Sequence, residues 1–165
     1  MTSGKSTIGK VLAKKLNYTF VDLDAYIEEK EEMTITGIFK TKGEIYFRKL
    51  ESVYLQDIIR DYENTVLALG GGTPCYSNNM EIILTAKNTF SIYINVPLGE
   101  LVNRIDKEKQ QRPLVSHLKS KSEILEFVGK HLFERSNYYN QADVVIDANN
   151  KSTDKIIENI IFKLF

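Results

Sequence analysis

An α/β fold built on a mainly parallel sheet is the architecture this sequence predicts. Three observations carry it. Short apolar strand patterns alternate with amphipathic helical ones along the whole chain. A glycine-led tetrapeptide, Gly4-Lys5-Ser6-Thr7, opens the first helical pattern. Asp24, Gly70 and Asp147 fall at or just after strand ends, which is where ligands bind in such sheets. A length of 165 residues favours one domain, 1–165, with enough chain to bury a core.

After Gly4, Ile8, Val11, Leu12 and Leu16 recur at helical spacing, and Asn17-Tyr18 ends the run. Residues 19–24 read as a short strand, and 25–62 as mostly helical with breaks near Gly37 and Gly43. Residues 65–69 form a strand that runs into Gly70-Gly71-Gly72, followed by a helix over 80–87. A strand over 89–96 ends at Pro97 and a helix covers 98–107. Residues 110–120 are polar, carry Arg112-Pro113 and read as a mobile loop. A helix over 122–139, a strand over 143–147 and an amphipathic helix over 153–165 complete the chain. Phe127, Phe133 and Phe162 are assigned to the core.

Composition excludes several classes. Lys plus Arg and Asp plus Glu each number 22, so the net charge is zero, against the basic surface that broad nucleic-acid binding needs. A single cysteine, Cys75, allows no intramolecular disulfide, and with only two histidines there is no zinc-type spacing. No apolar run approaches the ~20 residues that span a bilayer. The first residues lack the apolar core of a signal peptide. A cytoplasmic protein without membrane contact is expected.

Gly4-Lys5-Ser6-Thr7 matches the second half of the phosphate-binding P-loop, G-x-x-x-x-G-K-[ST]. In that reading backbone N–H groups face phosphates, Lys5 reaches the β- and γ-phosphates, and Ser6 ligates Mg²⁺; the alternative is a plain helix start. Asp22 and Asp24, two apart in a strand, would share one face and suit cation and hydroxyl binding; a solvated strand end is the alternative. Arg48 could project from a helix to pair a carboxylate bidentately, or make a surface pair with Glu51. Gly70-Gly71-Gly72 suits close approach of a ligand to the backbone, or a plain tight turn. Arg112 suits a lid that closes over phosphates; it and Arg135 could equally be surface arginines. His117, His131 and Cys75 carry no partner pattern and receive no role.

Taken together, Gly-Lys-Ser-Thr at 4–7, Asp-Leu-Asp at 22–24, Gly-Glu-x-x-Phe-Arg-x-x-Glu at 43–51, Gly-Gly-Gly at 70–72, Arg-Pro-Leu at 112–114 and Glu-Arg-x-x-x-Tyr at 134–139 resemble shikimate kinase. The ordered set covers nearly the whole chain. The resemblance implies a P-loop NTPase-type three-layer sandwich with a parallel sheet of order 2-3-1-4-5. It also implies transfer of the γ-phosphoryl group of ATP to the 3-hydroxyl of shikimate, in aromatic amino acid biosynthesis, with Mg²⁺. By motif, Asp24 binds substrate hydroxyls and orients or deprotonates the nucleophile. Arg48 and Arg135 hold the carboxylate, and Gly70, Gly71 and Gly72 approach the substrate. Lys5 and Arg112 stabilise phosphoryl charge; Ser6, and Asp22 through water, organise Mg²⁺. Thr2, Ser3, Gly4 and Thr7 complete the phosphate loop, and Arg104 and Lys151 fall on the adenine side. Thr153 stands where some members have proline. The substrate segment is expected at about 25–54, the lid at about 108–121, and the enzyme is expected to be monomeric.

Family members begin with a hydrophobic strand ahead of the P-loop, and this sequence has none before Gly4. In the 2-3-1-4-5 order that strand is central. Losing about four buried apolar side chains at ~1.5–3 kcal/mol each removes ~6–12 kcal/mol, against a domain stability of ~5–15 kcal/mol. The expectation is an N-terminal truncation that folds poorly or leaves a gap in its sheet. Two other readings stand beside the first: a kinase for another small hydroxy acid, and a catalytically impaired nucleotide- or metabolite-binding relative.

Overall fold

The computed structural model describes residues 3–108, 115–118 and 120–165. They gather into two compact units, Ser6–Ser91 and Met1–Lys5 with Ile92–Phe165. Both are α/β with parallel strands.

In the Ser6–Ser91 unit, α1 (Lys5–Leu16) buries Ile8, Gly9, Leu12 and Ala13, one stripe at helical spacing. A Cβ at Gly9 would lie 2.6 Å from the Phe20 ring, so glycine lets this helix lie close on β1 (Thr19–Asp22). β1 pairs in parallel with β2 (Thr65–Ala68), Thr19 opposite Thr65 and Asp22 opposite Ala68. A parallel pair needs a long crossover, here α2 (Leu23–Glu31), α3 (Ile35–Thr41) and α4 (Gly43–Asp61). A 3₁₀ turn, Thr73–Cys75, and α5 (Asn79–Thr85) follow β2. The core is Leu23, Ile27, Ile38, Phe47, Leu55, Ile58 and Ile83, each such side chain contributing ~1.5–3 kcal/mol on burial.

Two differences from the sequence expectation fall beside the candidate site residues. The first strand stops at Asp22, not residue 24, because Asp22 keeps extended φ and ψ of −104° and 119° while its carboxylate accepts the Asp24 N–H, capping α2. Asp24 is therefore a first-turn helical residue, and the shared strand face expected for Asp22 and Asp24 does not exist. The helical stretch breaks at Glu32, whose φ is 50°, rather than at Gly37. Gly37 lies inside α3, its N–H donated to the Thr34 cap at 3.1 Å.

In the other unit, β3 (Ile92–Asn95) pairs in parallel with β4 (Val144–Asp147), Ile92 opposite Val144. α6 (Leu98–Glu108) packs with α7 (Lys121–Tyr139), and α8 (Thr153–Leu164) with β4. Ser120 caps α7 by accepting the Glu123 N–H, and Ser152 caps α8 by accepting that of Lys155. Thr153 is thus the first residue of α8, where a proline loses no hydrogen bond. Phe133 and Phe162 are not core: they are 84% and 81% exposed. Ile124 and Val128 set the buried face of α7, and Phe133, nine residues beyond Ile124, points the opposite way at 100° per residue. Phe162 likewise falls two residues past Ile160, off the Ile156–Ile157–Ile160 stripe.

The described strands form two two-stranded parallel sheets, β1-β2 and β3-β4. Of the expected lid, residues 109–114 and 119 lie outside the described residues; 108 ends α6, 121 begins α7, and residues 115–117 form a turn with Val115 buried. No helix among the described residues is long and apolar enough to cross a membrane.

Candidate active site

Gly4 stands at φ 83°, a left-handed conformation that a side chain disfavours by roughly 1–2 kcal/mol. It turns the chain into α1, whose first turn carries no acidic residue. The N-terminal N–H groups of a helix favour anions. Ser6 and Lys5 are partly buried here, Ser3 flanks them, and Thr7 is exposed. Thr2 lies outside the described residues.

The Ser6 hydroxyl donates to Asp22 Oδ2 at 2.8 Å, while Asp22 Oδ1 accepts the Asp24 N–H at 3.1 Å. This joins the start of α1 to the end of β1. Two hard oxygens, one anionic, are the donor type Mg²⁺ takes, and Mg²⁺ keeps phosphate oxygens and waters for its other positions. No cluster of three or more His, Cys, Asp or Glu able to hold a metal occurs among the described residues.

In the same unit, two residues beyond Asp22, Asp24 comes together with Arg48 and the glycine turn. A Cβ at Gly70 would lie 3.1 Å from Asp24 Oδ1, 3.2 Å from Glu51 Oε1 and 3.0 Å from Thr73 Oγ1. A Cβ at Gly72 would lie 2.9 Å from Arg48 Nη1. Gly72 has an ordinary helical φ of −89°, so its want of a side chain, not backbone freedom, is what the site uses. The glycine turn thus has a carboxylate against one end and a guanidinium against the other.

Arg48 is held on several sides. Nη1 donates to Glu51 Oε2 at 2.6 Å; Nε and Nη2 both donate to Glu44 Oε1 at 3.2 Å. Its guanidinium carbon sits 3.8 Å from the centre of the Tyr76 ring, and Tyr76 donates its hydroxyl to Glu44 at 3.1 Å. Partial burial is the largest single influence on Arg48 and disfavours its charge. The Glu51 hydrogen bond and charge, aided by Tyr76 and Glu44, together outweigh it and hold its pKa above the ordinary value.

The pair with Glu51 exists, but it is no surface pair: Glu51 is 1% exposed. Sequence reasoning missed Glu51 as a buried partner, together with Glu44, Thr73 and Tyr76. A signal was available for Glu51. It stands in the buried stripe Phe47, Glu51, Leu55, Ile58 of α4, an acid at an apolar position of a helix.

In the other unit, Arg135 is half-buried on α7 and lines a small cavity with Leu101, Val128, His131, Leu132 and Tyr139. Arg104 donates to Glu100 one turn earlier on α6. Lys151 donates to the Asp147 carbonyl at 2.7 Å and to its carboxylate at 3.1 Å. Together with the Asn149 N–H, the largest cause, that holds the Asp147 carboxyl below its usual range. Arg112 lies outside the described residues.

A glycine-led helix start, a hydroxyl–carboxylate pair beside it and parallel α/β units define the class of P-loop phosphoryl-transfer enzymes. The sequence profile described as shikimate kinase matches residues 1–165. A shikimate kinase of Flavobacterium psychrophilum is 42% identical over 165 residues, spanning 100% of this chain and 95% of the relative. The crystal structure of shikimate kinase from Bacteroides thetaiotaomicron matches with a TM-score of 0.89 at 33% identity, over 99% of this chain and 93% of that one. The shikimate kinase from Acinetobacter baumannii, solved in complex with shikimate, matches with a TM-score of 0.83 at 29% identity, over 98% and 87% of the two chains. The chain belongs to the shikimate kinase family.

Proposed function

We propose that the chain transfers the γ-phosphoryl group of ATP to the 3-hydroxyl of shikimate, giving shikimate 3-phosphate and ADP in aromatic amino acid biosynthesis. The observation that carries this reading is the glycine turn with Asp24 against Gly70 and Arg48 against Gly72. Shikimate is a compact ring with a carboxylate on one side and hydroxyls on the other, and that turn offers a cation and an acceptor to match. Asp24 accepts the hydroxyl proton or orients the hydroxyl; Arg48 and Arg135 hold the carboxylate; the Gly70–Gly72 backbone lies along the ring.

Phosphoryl transfer requires positioning and charge stabilisation rather than covalent catalysis, in keeping with a site that uses neither histidine nor cysteine. Gly4, Ser3, Thr2 and Thr7 surround the phosphates. Lys5 and Arg112 stabilise the transferring charge, and Arg104 and Lys151 lie on the adenine side. Ser6 and Asp22 would hold Mg²⁺, which supplies positive charge to the phosphates when bound. The substrate segment is 25–54 and the lid 108–121, in one catalytic domain acting as a cytoplasmic monomer. The pairs β1-β2 and β3-β4 support the order 2-3-1-4-5, as its strands 2-3 and 4-5.

Coupled ADP release with MgATP, run against a panel of small hydroxy acids, tests the reading. Release is expected with shikimate and not with gluconate or quinate. Preference for another acid would make this a kinase of that substrate. ATP binding by calorimetry without turnover on any of them would make it a binding relative.

A further inference from the structure

Three polar side chains of the Ser6–Ser91 unit are almost wholly buried: Glu51 at 1% exposure, Thr73 and Asn79 at 0%. Buried polar groups need partners, and these three supply one another in a line. Asn79 Nδ2 donates to the Thr73 carbonyl at 2.8 Å. Thr73 Oγ1 donates to Glu51 Oε1 at 2.6 Å. Arg48 Nη1 closes the line on Glu51 Oε2 at 2.6 Å. One donor thus meets each carboxylate oxygen, which fixes the tilt of the carboxylate as well as its position. An ionised carboxylate only accepts, so the Thr73 hydroxyl has to be the donor. The turn beneath is locked too, since the Thr73 N–H donates to the Gly70 carbonyl at 3.1 Å.

The line has a cost. Asn79 Oδ1 is buried without a partner among the described residues. Turning the amide over would set a carbonyl oxygen against the Thr73 carbonyl, so the orphan oxygen is the consequence of using the NH₂ group to hold Thr73. At the other end, three of the five guanidinium N–H groups of Arg48 are engaged by Glu44 and Glu51. Counting the described residues, one N–H on each terminal nitrogen is left for a further acceptor, and a guanidinium can meet a carboxylate through two nitrogens. The Glu44 side chain is 53% exposed and can swing, whereas that of Glu51 is 1% exposed and cannot. The buried side therefore sets the direction in which the two free N–H groups point.

We propose that Thr73 is a positioning residue for substrate binding: anchored by Asn79, its hydroxyl fixes Glu51 and so aims Arg48 at the substrate carboxylate. The inference rests on Arg48 as the carboxylate-binding group in the function proposed above. The test is the full chain with shikimate and ATP titrated separately. Thr73→Val is expected to raise the shikimate KM about tenfold and leave the ATP KM within about twofold. Thr73→Ser, which keeps the hydroxyl, is expected to restore most of the loss. In a Glu51→Gln background Thr73→Val is expected to add little, because both act through one carboxylate.

A folded Thr73→Val with an unchanged shikimate KM overturns the inference. So does a parallel rise in both KM values, or a Thr73→Ser no better than Val. Should Thr73→Val not fold, Thr73→Ala carries the same comparison; if neither folds, the hydroxyl is structural and the inference fails. Wild-type chain that releases no ADP with shikimate is a separate result, which removes the functional reading and this inference with it.

Discussion

Replacing Glu51 by glutamine removes one charge from a 1% exposed position and keeps its shape. In the native chain the two carboxylate oxygens receive Arg48 Nη1 and Thr73 Oγ1, both at 2.6 Å. An amide has one acceptor oxygen, so Glu51→Gln can satisfy one donor and must face the other with its own NH₂ group. Hydrogen bonds to charged groups contribute ~1.5–3 kcal/mol, and removing one partner of a buried ion pair costs ~3–5 kcal/mol. Arg48 keeps Glu44 as a partner and its side chain is 17% exposed, so the lower end applies, ~2–3 kcal/mol. For a chain of this size each kcal/mol moves Tm by ~2–4 °C, which gives a fall of ~4–12 °C. Thermal unfolding followed by circular dichroism reads that shift. The same variant, assayed for shikimate-dependent ADP release, should show a shikimate KM raised about tenfold or more. A Tm within about 1 °C of wild type together with a KM within about twofold would refute the account of Arg48 as an arginine held from its buried side.

Other variants probe other parts. Gly72→Ala has a permitted backbone, with φ −89°, but its Cβ would press on Arg48 from 2.9 Å; the shikimate KM should rise about tenfold with the ATP KM unmoved. Ser6→Ala removes the hydroxyl that meets Asp22 and should raise the Mg²⁺ concentration for half-maximal rate at least about tenfold, read by a Mg²⁺ titration at fixed ATP. Glu31 accepts from Lys42, Tyr46 and Tyr54; the Lys42 hydrogen bond leads in holding its carboxyl below the ordinary 4.5. A depressed carboxylate contributes stability above its unfolded pKa and loses it as pH falls through the folded value. Denaturation of wild type and Glu31→Gln should therefore differ most near neutrality and converge as pH falls below the ordinary carboxylate value and through the lowered folded one.

Much of this was legible in the residues. The alternation of strand and helix patterns gave the α/β class, and Ser6, Asp-Leu-Asp and the glycines marked groups that lie in the Ser6–Ser91 unit. What failed to show had physical causes. A period-two reading carried the first strand through Asp24 because an extended Asp can end a strand or cap a helix, and only the Asp22 carboxylate accepting the Asp24 N–H decides between them. Spacing found the Arg48–Glu51 pair but not its burial, which depends on Glu51 sharing the Phe47–Leu55 face of α4. Thr73 sits in a 3₁₀ turn, where no periodicity announces a role. Phe133 and Phe162 were misassigned because hydrophobicity was weighed without helical phase. The glycines were credited with approach to a ligand, whereas at 70 and 72 they first make room for the side chains of Asp24, Glu51 and Arg48.

The central claim is that Asp24, set against the glycine turn, serves a shikimate hydroxyl in phosphoryl transfer from ATP. Initial rates of ADP release with MgATP, with and without shikimate, test it directly in wild type and Asp24→Asn. The account predicts shikimate-dependent release in wild type and a kcat lowered ~10²–10⁴-fold in Asp24→Asn, with the variant still folded. Release indifferent to shikimate, or full turnover by Asp24→Asn, would contradict it.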